Sequence, residues 1–311
     1  MLAADPRIAA RYPPRMEQPE PGDVERARRA LGATPVGWRW VTGHGAPSTR
    51  RFVVGLPDGS SAFVKIAAFD YVAGWFRDER AAYEVLDGAP FLPRLLGWDD
   101  DGVSPLLAIE DLSDARWPPP WDRGAVGAVL ATLDELHGTA PTAPLPTAEE
   151  RQFGLDSWPD VIEDPAPFLS TGICSPAWLE AHLPALAAAS AAARIDGAAT
   201  LHFDVRSDNL CLKDDRAILV DWNQTCVGNP LLETAAWLPS LEVEGGPAPE
   251  DVLPPNTDGL AEIASLLAGY FSSRAGLPSI PQAPHVRELQ RQQASTALPW
   301  AARLLGLPPP V

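Results

Sequence analysis

The sequence predicts an α+β protein of two lobes: a small β-rich N-lobe with one inward helix, and a larger, mainly helical C-lobe. Three observations carry this. Short apolar, β-branched runs with turn residues between them dominate the front half, and long stretches of helical periodicity fill the back half. A proline-rich stretch, ARWPPPW (115–121), marks the change between them. The lobes are therefore expected at residues 1–112 and 113–311, and 311 residues suit two lobes with a sizeable core.

Residues 1–22 are rich in proline and charge and read as an arm. VERARRALGA (23–32) predicts a short helix ending at Gly32. WRWVTGHGAPSTRR (38–51) supplies a strand and a loop containing Gly43 and Gly45. RFVVGL (51–56) and SAFVKIA (61–67) flank the turn Pro57-Asp58-Gly59 and predict a hairpin. VAGWFRDERAAYEVLD (72–87) predicts a helix closed by Gly88, with Trp75, Ala82, Tyr83 and Leu86 as its apolar face. Glu79 falls on that face, and an inward acid is costly unless paired. SPLLAIEDL (104–112) predicts a strand ending at Glu110-Asp111. Helices follow at 125–138, at 177–194 with a bend at Pro184, at 258–276 and at 285–306.

Composition narrows the function. The hydrophobic share of 46% and charged share of 21% are those of an ordered globular protein. The first twenty residues lack a signal peptide's apolar stretch and no run approaches a membrane span, so a cytoplasmic protein with no membrane partner is expected. Three cysteines without metal-ligand spacing read as free buried thiols. The net charge of -17 argues against nucleic acid as partner. Its plain reading is solubility, and its functional reading is a cationic substrate. Arginine supplies nearly all positive charge, the only lysines being Lys65 and Lys213. A lysine kept in such a chain suggests a site that wants a compact point charge.

The densest polar chemistry lies in LHFDVRSDNL (201–210). Downstream, AILVD (217–221) is an apolar run that stops on Asp221. Pairing of Leu210-Cys211-Leu212 with 217–220 across the turn at 213–216 brings Asn209 and Asp221 together. Magnesium takes oxygen ligands, only one or two of them from protein, and Asn209 and Asp221 fit that role. Asp204 then stands as proton acceptor for an attacking hydroxyl. The plainer alternative is a polar turn in which Asp204 and Asn209 bond only to backbone.

The order His202-x-Asp204, Asn209, Asp221 resembles the catalytic and metal loops of the protein-kinase-like fold. More closely it resembles the aminoglycoside phosphotransferase family, whose loop reads H-G-D-x-x-x-x-N and whose metal strand ends in Asp-Trp or a similar pair, here Asp221-Trp222. The resemblance covers roughly residues 35–305 and implies further roles. Lys65 on a strand and Glu79 on the following helix become partners that position the α and β phosphates of ATP. Gly43, Gly45 and Ser48 fall on the loop that covers those phosphates. Glu110 and Leu112 belong to the strand and hinge that hold adenine through backbone groups. Arg206 reaches the transferred phosphoryl group or pairs with Asp208. His202 orients the loop. The chain departs from the pattern at Phe203, where glycine is usual, and lacks the Phe-Gly and Ala-Pro-Glu of protein kinases, which argues against a protein substrate.

The expected activity is an ATP- and magnesium-dependent O-phosphotransferase acting on a hydroxyl of a small molecule of aminoglycoside or amino-sugar type. A kinase for a neutral sugar or amino alcohol is the alternative, as is a non-catalytic nucleotide-binding module. The acidic stretch PLLETAAWLPSLEVEGGPAPED (230–251) predicts a helix from about Leu231 to Leu238, stopped by Pro239, then an irregular segment. Its acids either steer an ammonium group toward Asp204 or form a solvated face, with Glu233 structural.

Overall fold

The computed structural model describes residues 19–41, 49–151, 155–280, 283 and 285–311. The chain divides into two compact units. One holds residues 1–81, 93–114 and 281–283, and the other 82–92, 115–280 and 284–311.

The first unit is built on a five-stranded antiparallel sheet in the order β1-β2-β3-β5-β4. Its strands are β1 (Gly37–Trp40), β2 (Thr49–Gly55), β3 (Ser61–Ala67), β4 (Leu95–Asp99) and β5 (Leu106–Glu110). β2 and β3 are the expected hairpin, with Gly59 at φ 86° in its turn. β4 is an addition, since LLGWD has neither strong alternation nor a β-branched residue. Alternation sends Phe52, Val54, Ala62, Val64, Ile66, Leu106 and Ala108 into one buried cluster under helix α1 (Pro21–Leu31). Burying each large side chain there contributes about 1.5–3 kcal/mol. The helix lies so close to β4 that a Cβ on Gly97 would fall 2.2 Å from the Ala30 carbonyl oxygen, so only glycine fits. Arg26 and Arg29 fix the same contact by pairing with Asp99. Helix α1 starts at Pro21 rather than at 23, because proline suits a first helical turn.

Helix α2 (Asp70–Val85) bears Glu79 inward as expected, but Trp75 is 42% exposed. Val72, Ala73 and Phe76 are buried instead. The inward stripe is centred one residue further on, and Trp75 packs edge-on against Tyr71 outside it.

The second unit is mainly helical. Helix α3 (Arg123–Gly138) is capped by Asp122, whose carboxylate accepts the Ala125 N–H at 2.7 Å. Helix α4 (Pro176–Ala191) carries Pro184 within it. Two short strand pairs then frame one spot: β6 (Ala199–Leu201) with β9 (Cys226–Gly228), and β7 (Leu210–Lys213) with β8 (Arg216–Leu219). The β7–β8 turn has Asp214 and Asp215 at positive φ, as a two-residue type I′ hairpin requires.

Helix α5 (Pro230–Val243) corrects one expectation. It runs through Pro239 to Val243 instead of stopping at Leu238. Burial of Trp237, Leu238 and Leu241 outweighs the bond that proline cannot make. Helices α6 (Leu260–Ala275) and α7 (His285–Leu304) close the chain. Cys174, Cys211 and Cys226 are buried and form no disulfide. No helix among the described residues is long and apolar enough to cross a membrane.

Candidate active site

The strand pairs put two loops side by side in the second unit. One runs from β6 to β7 and carries residues 202–209, and the other runs from β8 to β9 and carries 220–225. They are joined by main chain, since the Val220 N–H donates to the Asn209 carbonyl at 2.9 Å. This continues the β7–β8 ladder by one rung. It brings Asn209 and Asp221 to one place, as the hairpin expectation required.

His202 is fully buried and locks the two loops together. Its Nε2 bonds the Val220 carbonyl at 2.8 Å, its Nδ1 accepts the Asp204 N–H at 3.3 Å, and its ring meets Trp222 edge-on at 4.6 Å. Both ring nitrogens are thus used, one as donor and one as acceptor, which is the orienting role. Trp222 is itself buried, bonded to the Leu219 carbonyl and stacked on Phe91.

Asp204 has a side chain that is 36% exposed. Its Oδ2 accepts the Asn209 Nδ2–H at 2.8 Å, and its main-chain carbonyl accepts the same group at 2.9 Å. Its Oδ1 faces Arg206 Nε at 3.4 Å. Burial pushes the Asp204 carboxyl above its ordinary 3.8, Arg206 and His202 pull it back, and the charges of Asp208 and Asp221 push it up again. The result is a carboxylate with more affinity for a proton than an exposed aspartate. Arg206 spans both acids, donating to Asp208 at 3.0 Å while facing Asp204. The pairing with Asp208 is therefore present, together with the approach to Asp204.

Asn209 is buried, and its amide nitrogen is committed to Asp204. Its amide oxygen is the atom a hard cation takes. Asp221 occupies the left-handed region at φ 63°, which aspartate tolerates better than most residues. Among the described residues, no group of three or more His, Cys, Asp or Glu is arranged to hold a metal. Magnesium does not need one, because water and phosphate oxygens complete its shell. The donors here are oxygens, and the charges of Asp208 and Asp221 add to the proton affinity of Asp204, which marks a spot of negative charge that a divalent cation would relieve.

The loop hangs on acids that the sequence did not assign in detail. Glu233 on α5 is 2% exposed. Its Oε1 accepts the Phe203 N–H at 2.5 Å, and its Oε2 bonds His137 Nε2 at 2.7 Å. Glu244 accepts the Ser207 hydroxyl at 2.6 Å and the Trp121 indole N–H at 2.8 Å. Glu250 pairs with Arg303 at 2.6 Å. Three of the acids in 230–251 thus serve partners within the chain. The signal that singles out Glu79, an acid on an inward stripe, also fits Glu233 between buried Leu232 and Trp237. His137 gives no comparable sign.

In the first unit, Lys65 and Glu79 are partners at 2.5 Å, with side chains 6% and 1% exposed. The ammonium also lies 5.1 Å from the centre of the Phe76 ring. Removing one member of such a buried pair costs about 3–5 kcal/mol. Glu110 ends β5, where its N–H donates to the Arg94 carbonyl, and Leu112 just beyond is buried. Gly43, Gly45 and Ser48 lie outside the described residues.

Over residues 42–253 the chain matches the phosphotransferase enzyme family. No curated protein matches it. Solved structures share its fold at low identity. A thermostable mutant of aminoglycoside phosphotransferase APH(4)-Ia, in ternary complex with AMP-PNP and hygromycin B, is 13% identical with a TM-score of 0.56, over 92% of this chain and 98% of that one. A choline/ethanolamine kinase family protein from Mesorhizobium loti is 17% identical with a TM-score of 0.57, over 92% and 98%. Amicoumacin kinase hAmiN, in complex with AMP-PNP, Ca2+ and Ami, is 13% identical with a TM-score of 0.52, over 93% and 95%.

Proposed function

The chain belongs to the phosphotransferase enzyme family and is a small-molecule kinase, and from that premise we propose that it moves the γ-phosphoryl group of ATP, with magnesium, to a hydroxyl of a small acceptor. The observation that carries this reading is the shared hydrogen bonding of Asp204 and Asn209 beside Arg206 and Asp221. Nucleotide complexes of two fold relatives, one of them with a divalent cation, support it.

Asp204 accepts the proton of the acceptor hydroxyl as the hydroxyl oxygen bonds to the γ-phosphorus and the bond from that phosphorus to the β,γ-bridging oxygen breaks, releasing ADP. Arg206 leaves Asp208 or shares it, and offsets charge on the phosphoryl oxygens. Asn209 and Asp221 would hold the magnesium ion, which would neutralise phosphate charge. Lys65, oriented by Glu79, contacts the α and β phosphates, with Gly43, Gly45 and Ser48 on the loop over them and Glu110 and Leu112 beside the adenine. On this assignment residues 1–112 serve the nucleotide and 113–311 serve catalysis and the acceptor, in the cytoplasm. The test is ADP release over a panel of amino sugars, sugars and amino alcohols, with and without magnesium. Release that needs both acceptor and magnesium is expected. Metal-independent release would contradict the reading. An amino compound preferred at low salt, with the preference fading as salt rises, would identify a cationic acceptor, and indifference to the amine a neutral one.

The raised proton affinity of Asp204 sets the acid limb of the rate profile. A base works only when deprotonated, so activity falls as pH drops through a value above the ordinary 3.8. A limb at or below that value in kcat/KM would place the base elsewhere.

Lys65→Arg keeps the charge but is expected to lose most activity. The buried space beside Glu79 and Phe76 fits a compact ammonium, and forcing a planar fork into it costs about 1–3 kcal/mol in strain. ATP affinity and turnover are the measurements, and wild-type values for both would leave Lys65 without a role in phosphate positioning.

A further inference from the structure

Alternation along β2 sends two adjacent arginines to opposite faces of the sheet. Arg50 shares a face with Phe52 and Val54, which are buried under α1, and it donates to Asp23 of that helix at 2.8 Å. Arg51 therefore stands on the other face. Val64 and Ile66 of β3 join the same buried cluster, so Lys65 between them stands on that other face too. The ladder makes the match direct. Arg51 is the cross-strand partner of Lys65, as Phe52 is of Val64 and Val53 is of Phe63.

Opposed residues of an antiparallel pair hold their Cβ atoms about 4.5–5.5 Å apart, and like charges set there destabilise the pair. The sheet thus places two cations side by side, a costly arrangement unless something negative shares them. Glu79 of α2 meets the Lys65 ammonium at 2.5 Å and fixes it near the Phe76 ring. Arg51 brings a different group to the same face. Its planar fork can donate to two phosphate oxygens at once, where an ammonium offers a point charge. An anion between the two cations is drawn by both. On the reading of Lys65 given above, that anion is the phosphate chain of the nucleotide.

We propose that Arg51 is a further nucleotide-binding residue, a guanidinium that β2 sets across from Lys65 to grip the phosphates of ATP. The inference rests on the reading of Lys65 as the residue that positions those phosphates. The rival explanation is that Arg51 serves only the sheet. The two differ in their dependence on the ligand. A phosphate contact is lost only for ligands that carry phosphate, whereas a disturbed sheet weakens every nucleotide and nucleoside alike.

The experiment measures binding of ATP, ADP and adenosine to folded wild type, Arg51→Gln and Arg51→Lys, with adenosine read by competition against ATP. Glutamine removes the charge and the fork. It is expected to weaken ATP and ADP by about ten- to a hundredfold, the worth of bonds to a charged group, and adenosine by less than about twofold. Lysine keeps the charge without the fork, so its loss is expected to be smaller and again confined to ATP and ADP. ATP affinity in Arg51→Gln within about twofold of wild type, or an equal loss for ATP and adenosine, would overturn the proposal. If Arg51→Gln does not fold, Arg51→Lys carries the same comparison. ATP affinity of Lys65→Arg is read alongside. Wild-type affinity there removes the phosphate reading on which the inference rests, whereas a loss there with normal ATP binding in Arg51→Gln overturns the Arg51 assignment alone.

Discussion

Asp204→Asn lowers the rate of phosphoryl transfer by about 10²–10⁴-fold, the usual contribution of a positioned general base. Nucleotide affinity stays near wild type, because the substitution removes no proposed phosphate contact. The fold is kept as well. The asparagine carbonyl oxygen replaces Oδ2 as acceptor for Asn209 Nδ2, and main-chain bonds hold the loop in either case. Since burial disfavours the ionised carboxyl, its loss leaves the melting temperature unchanged or raises it. Stability that holds while activity collapses separates a catalytic from a structural aspartate. A rate reduced less than tenfold, with chemistry limiting, would exclude Asp204 as the base.

Asp221→Ala raises the magnesium needed for half-maximal rate and lowers the plateau. Loss of an outer-shell partner of a metal typically costs about 10- to 100-fold, and a ligand that brings a full charge is expected to exceed that. In the metal-free protein the change also removes a negative neighbour of Asp204, so its carboxyl moves back toward the ordinary range. Asn209→Ala also raises the magnesium requirement, by less, but it strips Asp204 of its side-chain donor and therefore lowers the plateau too. Magnesium titrations at two pH values distinguish the variants. Unchanged curves for Asp221→Ala would move the metal site elsewhere.

Much of this was legible in the sequence where chemistry and periodicity agree. The β2–β3 hairpin follows from Pro57-Asp58-Gly59 between two β-branched runs, and those runs pair antiparallel around it. The meeting of Asn209 with Asp221 follows from two short apolar runs around a turn, and a main-chain bond between Val220 and Asn209 makes it. The partnership of Lys65 with Glu79 was visible as two anomalies, a retained lysine and an inward acid, though only the family resemblance joined them. Other features depend on tertiary packing that sequence spacing does not carry. Strand β4 is paired because β5 and α1 lie against it, not because LLGWD favours a strand. Helix α5 passes Pro239 because its far turn is buried. The link from His137 to Glu233 spans 96 residues, so no local signal announces it. The acids of 230–251 read either as an ammonium-attracting run or as a solvated face with Glu233 structural, and only the tertiary structure gives Glu233, Glu244 and Glu250 their partners.

The central claim is that Asp204 and its neighbours transfer phosphate from ATP to the hydroxyl of a small molecule. Phosphorus NMR of a reaction with ATP, magnesium and the best acceptor from the panel tests it most directly. The account predicts a phosphomonoester resonance of the acceptor growing in step with ADP, and its loss in Asp204→Asn. ADP accompanied only by inorganic phosphate, or a phosphomonoester formed equally well by Asp204→Asn, would contradict it.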